Sequence, residues 1–197
     1  LRAWILPVLD HVLVTAPLTA EQRDRIGWRD EQGLTDLGNR FHYYRLTPDG
    51  RILFGGYDAT YHFAGAAPAD SPSRDRSFRT LAAHFAQTFP QLREVPFTHK
   101  WFGMIDATSR FTPLFGTALG VGMSRFGART ALDLVDGDTT ERTTLRLVTR
   151  RPVPFPPEPL RYPLVRLTQG ALAREDASGR RGIYLRTLDR LGVGFNS

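Results

Sequence analysis

Between Arg40 and Tyr57 the chain reads as two strands and the turn that joins them, and no other stretch constrains the fold as much. Arg40–Leu46 and Arg51–Tyr57 flank Thr47-Pro-Asp-Gly50. Pro48 presets φ for a turn there, and Gly50 supplies the left-handed position. Just upstream, Gly33–Leu37 is joined to Arg40–Leu46 by Gly38-Asn39, two residues that tolerate positive φ and read as a tight hairpin. Two hairpins in succession make an antiparallel meander, and one face of it must build a core.

The surrounding pattern supplies the helices. His11–Thr15 is a short strand-like run, and Thr19-Ala-Glu-Gln22 has the spacing of a capping box at a helix start. Ala64–Asp75 is loop-like in composition, and a helix over 72–89 carries Phe78, Leu81, Ala82, Phe85 and Phe89 at helical spacing before Pro90 ends it. Strand character resumes over Val95–Thr108. A helix over Gly122–Val135 is closed by Gly137. Beyond the stiff, proline-rich Arg151–Pro159, two amphipathic helices are expected over Leu160–Arg174 and Gly182–Leu191. The class is therefore α+β: an antiparallel or mixed sheet with flanking helices and a helical C-terminal tail. The expected division is a sheet domain over 1–119, a returning helix over 120–137, and a basic tail over 138–197.

Composition excludes several chemistries. There is no cysteine, which removes disulfides, thiol nucleophiles and cysteine-ligated metals, and fits a cytoplasmic protein. The histidines at 11, 42, 62, 84 and 99 show no close ligand spacing, so no metal site is expected. Ser124 lies outside any Gly-x-Ser-x-Gly elbow, and no Walker loop is present. No apolar run is long enough to span a bilayer. The net charge is +6, and residues 151–197 hold eight arginines against four acids, or +4 of that total. Lys100 is the single lysine, so the excess reads as a coding bias, and nucleic acid is not an expected partner. The chain opens at Leu1 in mid-pattern and reads as a fragment.

A chain without its own reactive groups suits an enzyme whose cofactor carries the chemistry. Gly116, Gly120, Gly122 and Gly127 sit where strand turns into helix. They serve either as a helix N-terminus facing an anionic ligand edge or as a tight turn with close packing. Alternation puts Phe41 and Tyr43 on one strand face and His42 and Tyr44 on the other, so one face packs and the other is free to line a substrate pocket. Gly55-Gly56 marks either a bulge or a close ligand approach.

Phe41-His-Tyr-Tyr-Arg-Leu-Thr-Pro-Asp-Gly-Arg-Ile-Leu-Phe-Gly-Gly-Tyr57 resembles the strand pair of the FAD-dependent oxidoreductases related to D-amino-acid oxidase, glycine oxidase and γ-glutamylputrescine oxidase. Phe89-Pro-Gln-Leu92, Lys100-Trp-Phe-Gly103 and Leu119-Gly-Val-Gly-Met-Ser-Arg-Phe-Gly-Ala128 are similar to that family's helix end, Trp-x-Gly strand and glycine-rich return to the flavin domain. The resemblance implies the C-terminal half of an enzyme that oxidises an amine or amino-acid C–N bond by hydride transfer to FAD. In this reading the sheet covers the substrate, with Tyr43, Tyr57, Trp101, Ile105 and Asp106 facing it, and Gly120, Val121, Gly122 and Met123 meet the flavin. No catalytic acid or base is assigned.

The sequence departs from the family pattern in three ways. The Gly-x-Gly-x-x-Gly phosphate site is missing, so the fragment alone is expected to be inactive. The strand and loop usually found between the positions of Gly120 and Val121 are also missing. Finally, Ile105 followed by Asp106 stands where amino-acid oxidases carry a carboxylate-clamping arginine, which favours an amine substrate and leaves Asp106 either an amine contact or a solvated strand end. The alternative to the enzyme is an interaction module whose basic tail helices dock on a partner, a second copy or an acidic membrane surface.

Overall fold

A computed structural model describes residues 3–66, 72–111 and 121–194, with backbone alone for 121–124. Strand β1 (Leu6–Thr15) is ten residues long, starting well before the His11–Thr15 pattern. It lies inside the sheet, so Leu6, Val8 and Leu9 are as buried as Leu13, and a strand buried on both faces shows no alternation by which to read its start. Helix α1 (Ala20–Ile26) begins with the expected capping box: the Thr19 hydroxyl accepts from the Gln22 amide, and the Gln22 side chain accepts from the Thr19 amide.

Strands β2 (Leu34–Thr35), β3 (His42–Leu46) and β4 (Ile52–Gly56) form the meander. The turn at Thr47–Gly50 is as expected: Gly50 has φ 75°, its amide donates to the Thr47 carbonyl at 2.8 Å, and the Thr47 amide donates to Arg51 at 2.9 Å. The link between β2 and β3 departs from the expected tight hairpin. Leu34 pairs with Tyr44 and Thr35 with Tyr43, which leaves a loop from Asp36 to Phe41. That loop is held from outside. The Asn39 and Arg40 amides donate to the Asp176 carboxylate at 2.9 and 3.0 Å, and the Asn39 side chain donates to Glu175 and Asp176.

Helix α2 (Pro72–Thr88) starts inside the stretch whose composition suggests a loop, because proline is tolerated in a helix's first turn. A short 3₁₀ turn at Pro90–Leu92 follows, then β5 (Phe97–Ala107). The sheet order is β2-β3-β4-β1-β5. Thr98 donates to the Thr15 carbonyl while the Phe102 ring faces His11, so β5 runs antiparallel to β1 along the sheet edge. Phe78, Leu81 and Phe85 of α2 pack on Leu13, Ile52 and Phe54, with Leu18, Trp28, Leu46, Phe89, Leu92 and Val95 closing the core. Full burial of each large apolar side chain contributes roughly 1.5–3 kcal/mol.

The chain divides into two compact units. One comprises Val8–Met104 and Leu172–Arg180; the other comprises Leu1–Pro7, Ile105–Ala171 and Arg181–Ser197. In the second unit, α3 (Val121–Asp136) ends at Gly137, whose φ is 76°. Asp133 accepts from the Thr140 hydroxyl at 2.7 Å and from the Arg142 guanidinium, and these bonds hold its carboxyl below the usual carboxylate range. Short helices α4 (Glu141–Thr144) and α5 (Arg146–Thr149) follow. The Ser109 hydroxyl ties the proline-rich segment at the Val153 carbonyl, 2.7 Å away. Helix α6 (Arg161–Ser178), whose residues are divided between the two units at Ala171, buries Ala171 and leaves Leu164 and Leu167 exposed. Helix α7 (Ile183–Arg190) buries Leu185.

Candidate active site

Two faces of the sheet in the first unit carry different chemistry. His42 stacks on Phe54 and Tyr44 meets Phe89, so these side chains face α2 and the core. Alternation turns Tyr43 the other way. Its ring lies over Gly55 of the neighbouring strand: a Cβ built on Gly55 would sit 2.6 Å from Tyr43 Cζ. The missing side chain lets the phenol cross β4 and donate to Asp10 Oδ2 on β1 at 2.6 Å. Burial and then the Asp10 carboxylate push the Tyr43 phenol well above its usual range, so it remains a proton donor. Gly55 therefore makes room for the protein's own tyrosine ring. Gly56 has φ 95°, and a Cβ there would sit 2.6 Å from the Phe41 carbonyl oxygen.

On β5, Phe102 faces His11 and Lys100 lies 5.4 Å over the Phe78 ring, which puts both on the α2 side. Trp101, Gly103 and Ile105 alternate onto the Tyr43 side, and Asp106 alternates back. Trp101 is 44% exposed and Ile105 48% exposed. Asp10, Tyr43, Gly55 and Trp101 share one unit, whereas Ile105 and Asp106 belong to the other.

Tyr57 stands apart from Tyr43. Its φ of 67° follows the left-handed Gly56, and its ring stacks on His42 at 5.0 Å with an interplanar angle of 7°. Arg40 caps that ring from 4.2 Å and pairs with Asp58 at 2.8 Å, and Asp58 also accepts from Ser77 of α2. His42 Nδ1 meets Asp36, and His42 Nε2 lies 2.9 Å from His84 Nδ1. Burial, then His42 and Arg40, lower the affinity of His84 for a proton. His11 is 1% exposed between Phe78 and Phe102 and makes no hydrogen bond through either ring nitrogen; burial lowers its pKa against the pull of Asp58 and Asp10. This network ties β3, β4 and α2 together.

Of the expected flavin contacts, Gly120 lies outside the described residues, and Val121, Gly122 and Met123 form the first turn of α3. The amides of a helix's first turn lack intrahelical acceptors and carry partial positive charge, which suits the electron-rich edge of a flavin. Among the described residues no group of three or more His, Asp or Glu is arranged to hold a metal ion, and no helix is long and apolar enough to cross a membrane. A shallow cavity of about 500 Å³ in the second unit is lined by Leu134, Gly137, Asp138, Thr139 and three further threonines, and holds none of the expected site residues.

Asp10 is the residue that sequence reasoning misses. It precedes the run read as a strand, so its partnership with Tyr43 has no local signature. Extending β1 backward by one residue, and counting alternation from there, is the signal that would have found it.

The family described as "FAD dependent oxidoreductase" matches residues 2–131. "Probable oxidoreductase OrdL" of Haemophilus influenzae is 31% identical over 112 residues, covering 57% of this chain and 23% of that protein. Glycine oxidase from Bacillus cereus superposes with a TM-score of 0.53 at 17% identity, covering 76% of this chain and 41% of that one. Iminodiacetate oxidase from Chelativorans sp. BNC1 gives 0.52 at 17%, covering 77% and 41%. At these identities the two structures speak for the fold alone. The chain spans less than half the length of each of these relatives.

Proposed function

The chain belongs to the FAD-dependent oxidoreductase family, and on that premise we propose that it is the substrate-covering portion of an enzyme that oxidises a C–N bond in an amine or amino acid. The observation that carries this reading is the sheet face away from α2, where a hydrogen-bonded tyrosine–carboxylate pair lies on the same side as a half-exposed indole. The relatives named for oxidising glycine and iminodiacetate support the reaction class. When bound, FAD accepts the hydride that leaves the carbon beside nitrogen.

This chain's own residues bind and orient. Within the first unit Tyr43 and Trp101 contact the substrate, with Tyr57 as a further candidate. The amides of Val121, Gly122 and Met123 would hold the flavin edge together with Gly120. The sequence contains no Gly-x-Gly-x-x-Gly turn, so the grip on the cofactor's pyrophosphate would come from another part of a longer protein, and these 197 residues alone would be inactive. The C-terminal end of α6 is already engaged with Asn39 and Arg40, which sets a docking role for the tail second.

Ile105 is an aliphatic residue where a carboxylate clamp would need a guanidinium, so the substrate is an amine without an α-carboxylate. The test is a turnover panel on the longer protein that carries this chain. Alkylamines are expected to exceed the matching D- and L-α-amino acids in kcat/KM by at least about tenfold, the value of one charge-assisted contact. Equal or better turnover of the amino acids would reject the amine assignment.

A further inference from the structure

Among the residues that alternate onto the Tyr43 face of strands β1, β3, β4 and β5, Asp10 is the one carboxylate. It is half-buried, and Tyr43 occupies its Oδ2. Among the described residues Oδ1 accepts no hydrogen bond and no cation pairs with Asp10, so none of them offsets its charge. Tyr43 is a neutral donor: it fixes the carboxylate's orientation without cancelling the charge.

Space for a ligand lies beside it. His11 and Phe102 meet across β1 and β5 on the α2 side, so their chain neighbours Asp10 and Gly103 both turn to the Tyr43 side. A Cβ on Gly103 would meet nothing within 4 Å. Trp101, two residues away on the same strand face, presents a half-exposed indole of the kind that attracts cations over its ring. A fixed, uncompensated carboxylate, an open neighbouring position and an aromatic surface together make a recognition site for an organic cation.

We propose that Asp10, oriented by Tyr43, receives the amine substrate as its ammonium, which gives one proton to solvent before hydride leaves the neighbouring carbon, and so sets the preference of the enzyme for amines. This rests on the amine-oxidation reading above. Asp106 is the rival carboxylate, but it alternates onto the opposite side of β5 from Trp101. Tyr43 acts through Asp10 and is a positioning residue. Gly55 acts one step further back, by leaving the space through which the tyrosine reaches.

The experiment uses the flavin-loaded longer protein and follows flavin reduction under anaerobic conditions at increasing amine concentration. This separates the apparent Kd from the limiting rate. Asp10→Asn is expected to raise the apparent Kd about ten- to a hundredfold, with a smaller change in limiting rate. Tyr43→Phe should raise it in the same direction by less, and Asp106→Asn is measured beside them as the rival carboxylate. tert-Butylamine, which has no hydrogen on the carbon beside nitrogen, serves as a probe that binds without reacting. The inhibition constant of tert-butylamine should shift in parallel with the substrate Kd, while that of uncharged tert-butanol stays put. If Asp10→Asn fails to fold, Tyr43→Phe carries the test, since it keeps the packing and removes only the orienting bond. Wild-type affinity in either variant, or a shift confined to Asp106→Asn, overturns this inference and leaves the amine-oxidation reading standing. If no amine reduces the wild-type flavin, that reading fails and the inference falls with it.

Discussion

At the scale of single residues, the histidines set a pH dependence whose sign follows from burial. His11 and His84 both have pKa values lowered from 6.5, His11 by burial and His84 by burial and then His42. A native pKa below the unfolded one means that the unfolded chain binds more protons as pH falls through about 6.5. Stability is therefore full above that value, is lost as pH drops toward the native pKa values, and levels off below them. The charges that act on His11 are those of Asp58 and Asp10, which favour its protonated form, and Arg74, which opposes it. Those facing His84 are His42 and Arg40, which oppose its protonation, and Asp36 and Asp58, which favour it. His11→Leu removes two ring nitrogens that make no hydrogen bond and replaces them with apolar surface between Phe78 and Phe102. Urea midpoints between pH 7.5 and 5.5 should fall less steeply in His11→Leu than in the wild type, with little cost at neutral pH. An unchanged slope would place the acid sensitivity elsewhere.

At the scale of elements, what was legible in the sequence was what neighbours along the chain decide. The Thr47–Gly50 turn and the Thr19 capping box are local bargains between residues two to four apart, and both form as their sequences indicate. Helix α2 buries Phe78, Leu81 and Phe85 as its spacing requires. The Gly38-Asn39 loop was not legible, because its amides are satisfied by Asp176 well over a hundred residues away. The early start of β1 was hidden by burial on both faces, and with it Asp10. The Gly55 gap binds three strands into one arrangement and makes a sharp prediction. Gly55→Ala puts a methyl 2.6 Å from Tyr43 Cζ, so the ring must swing away and release Asp10. The cost should be about 1–3 kcal/mol, as for other overpacked sites. Tyr43→Ala removes the obstacle, so adding Gly55→Ala to it should cost much less than in the wild type. Thermal unfolding of the two single variants and the double variant reads this coupling. Additive losses would mean that the ring does not lie over the glycine in solution.

For the whole molecule, the family and the α+β class were legible because the resembling motifs run in order along most of the chain, and the family match spans residues 2–131. The substrate was not, because the face that would receive it depends on pairing between strands far apart in sequence. Charge gave little direction: the arginines that make the chain basic are engaged in part by its own carboxylates, as with Arg142 and Asp133 or Arg181 and Asp189. On the proposed reading, this chain helps a flavin remove hydride from an amine. The most direct measurement is a single anaerobic mixing of the flavin-loaded longer protein with an excess of an alkylamine, with flavin absorbance and the carbonyl product both recorded. The flavin is expected to bleach fully, at a rate that saturates with amine concentration, and one carbonyl product is expected per flavin after hydrolysis of the imine. A flavin that stays oxidised across alkylamines and α-amino acids alike, yet is readily reduced by dithionite, would contradict it.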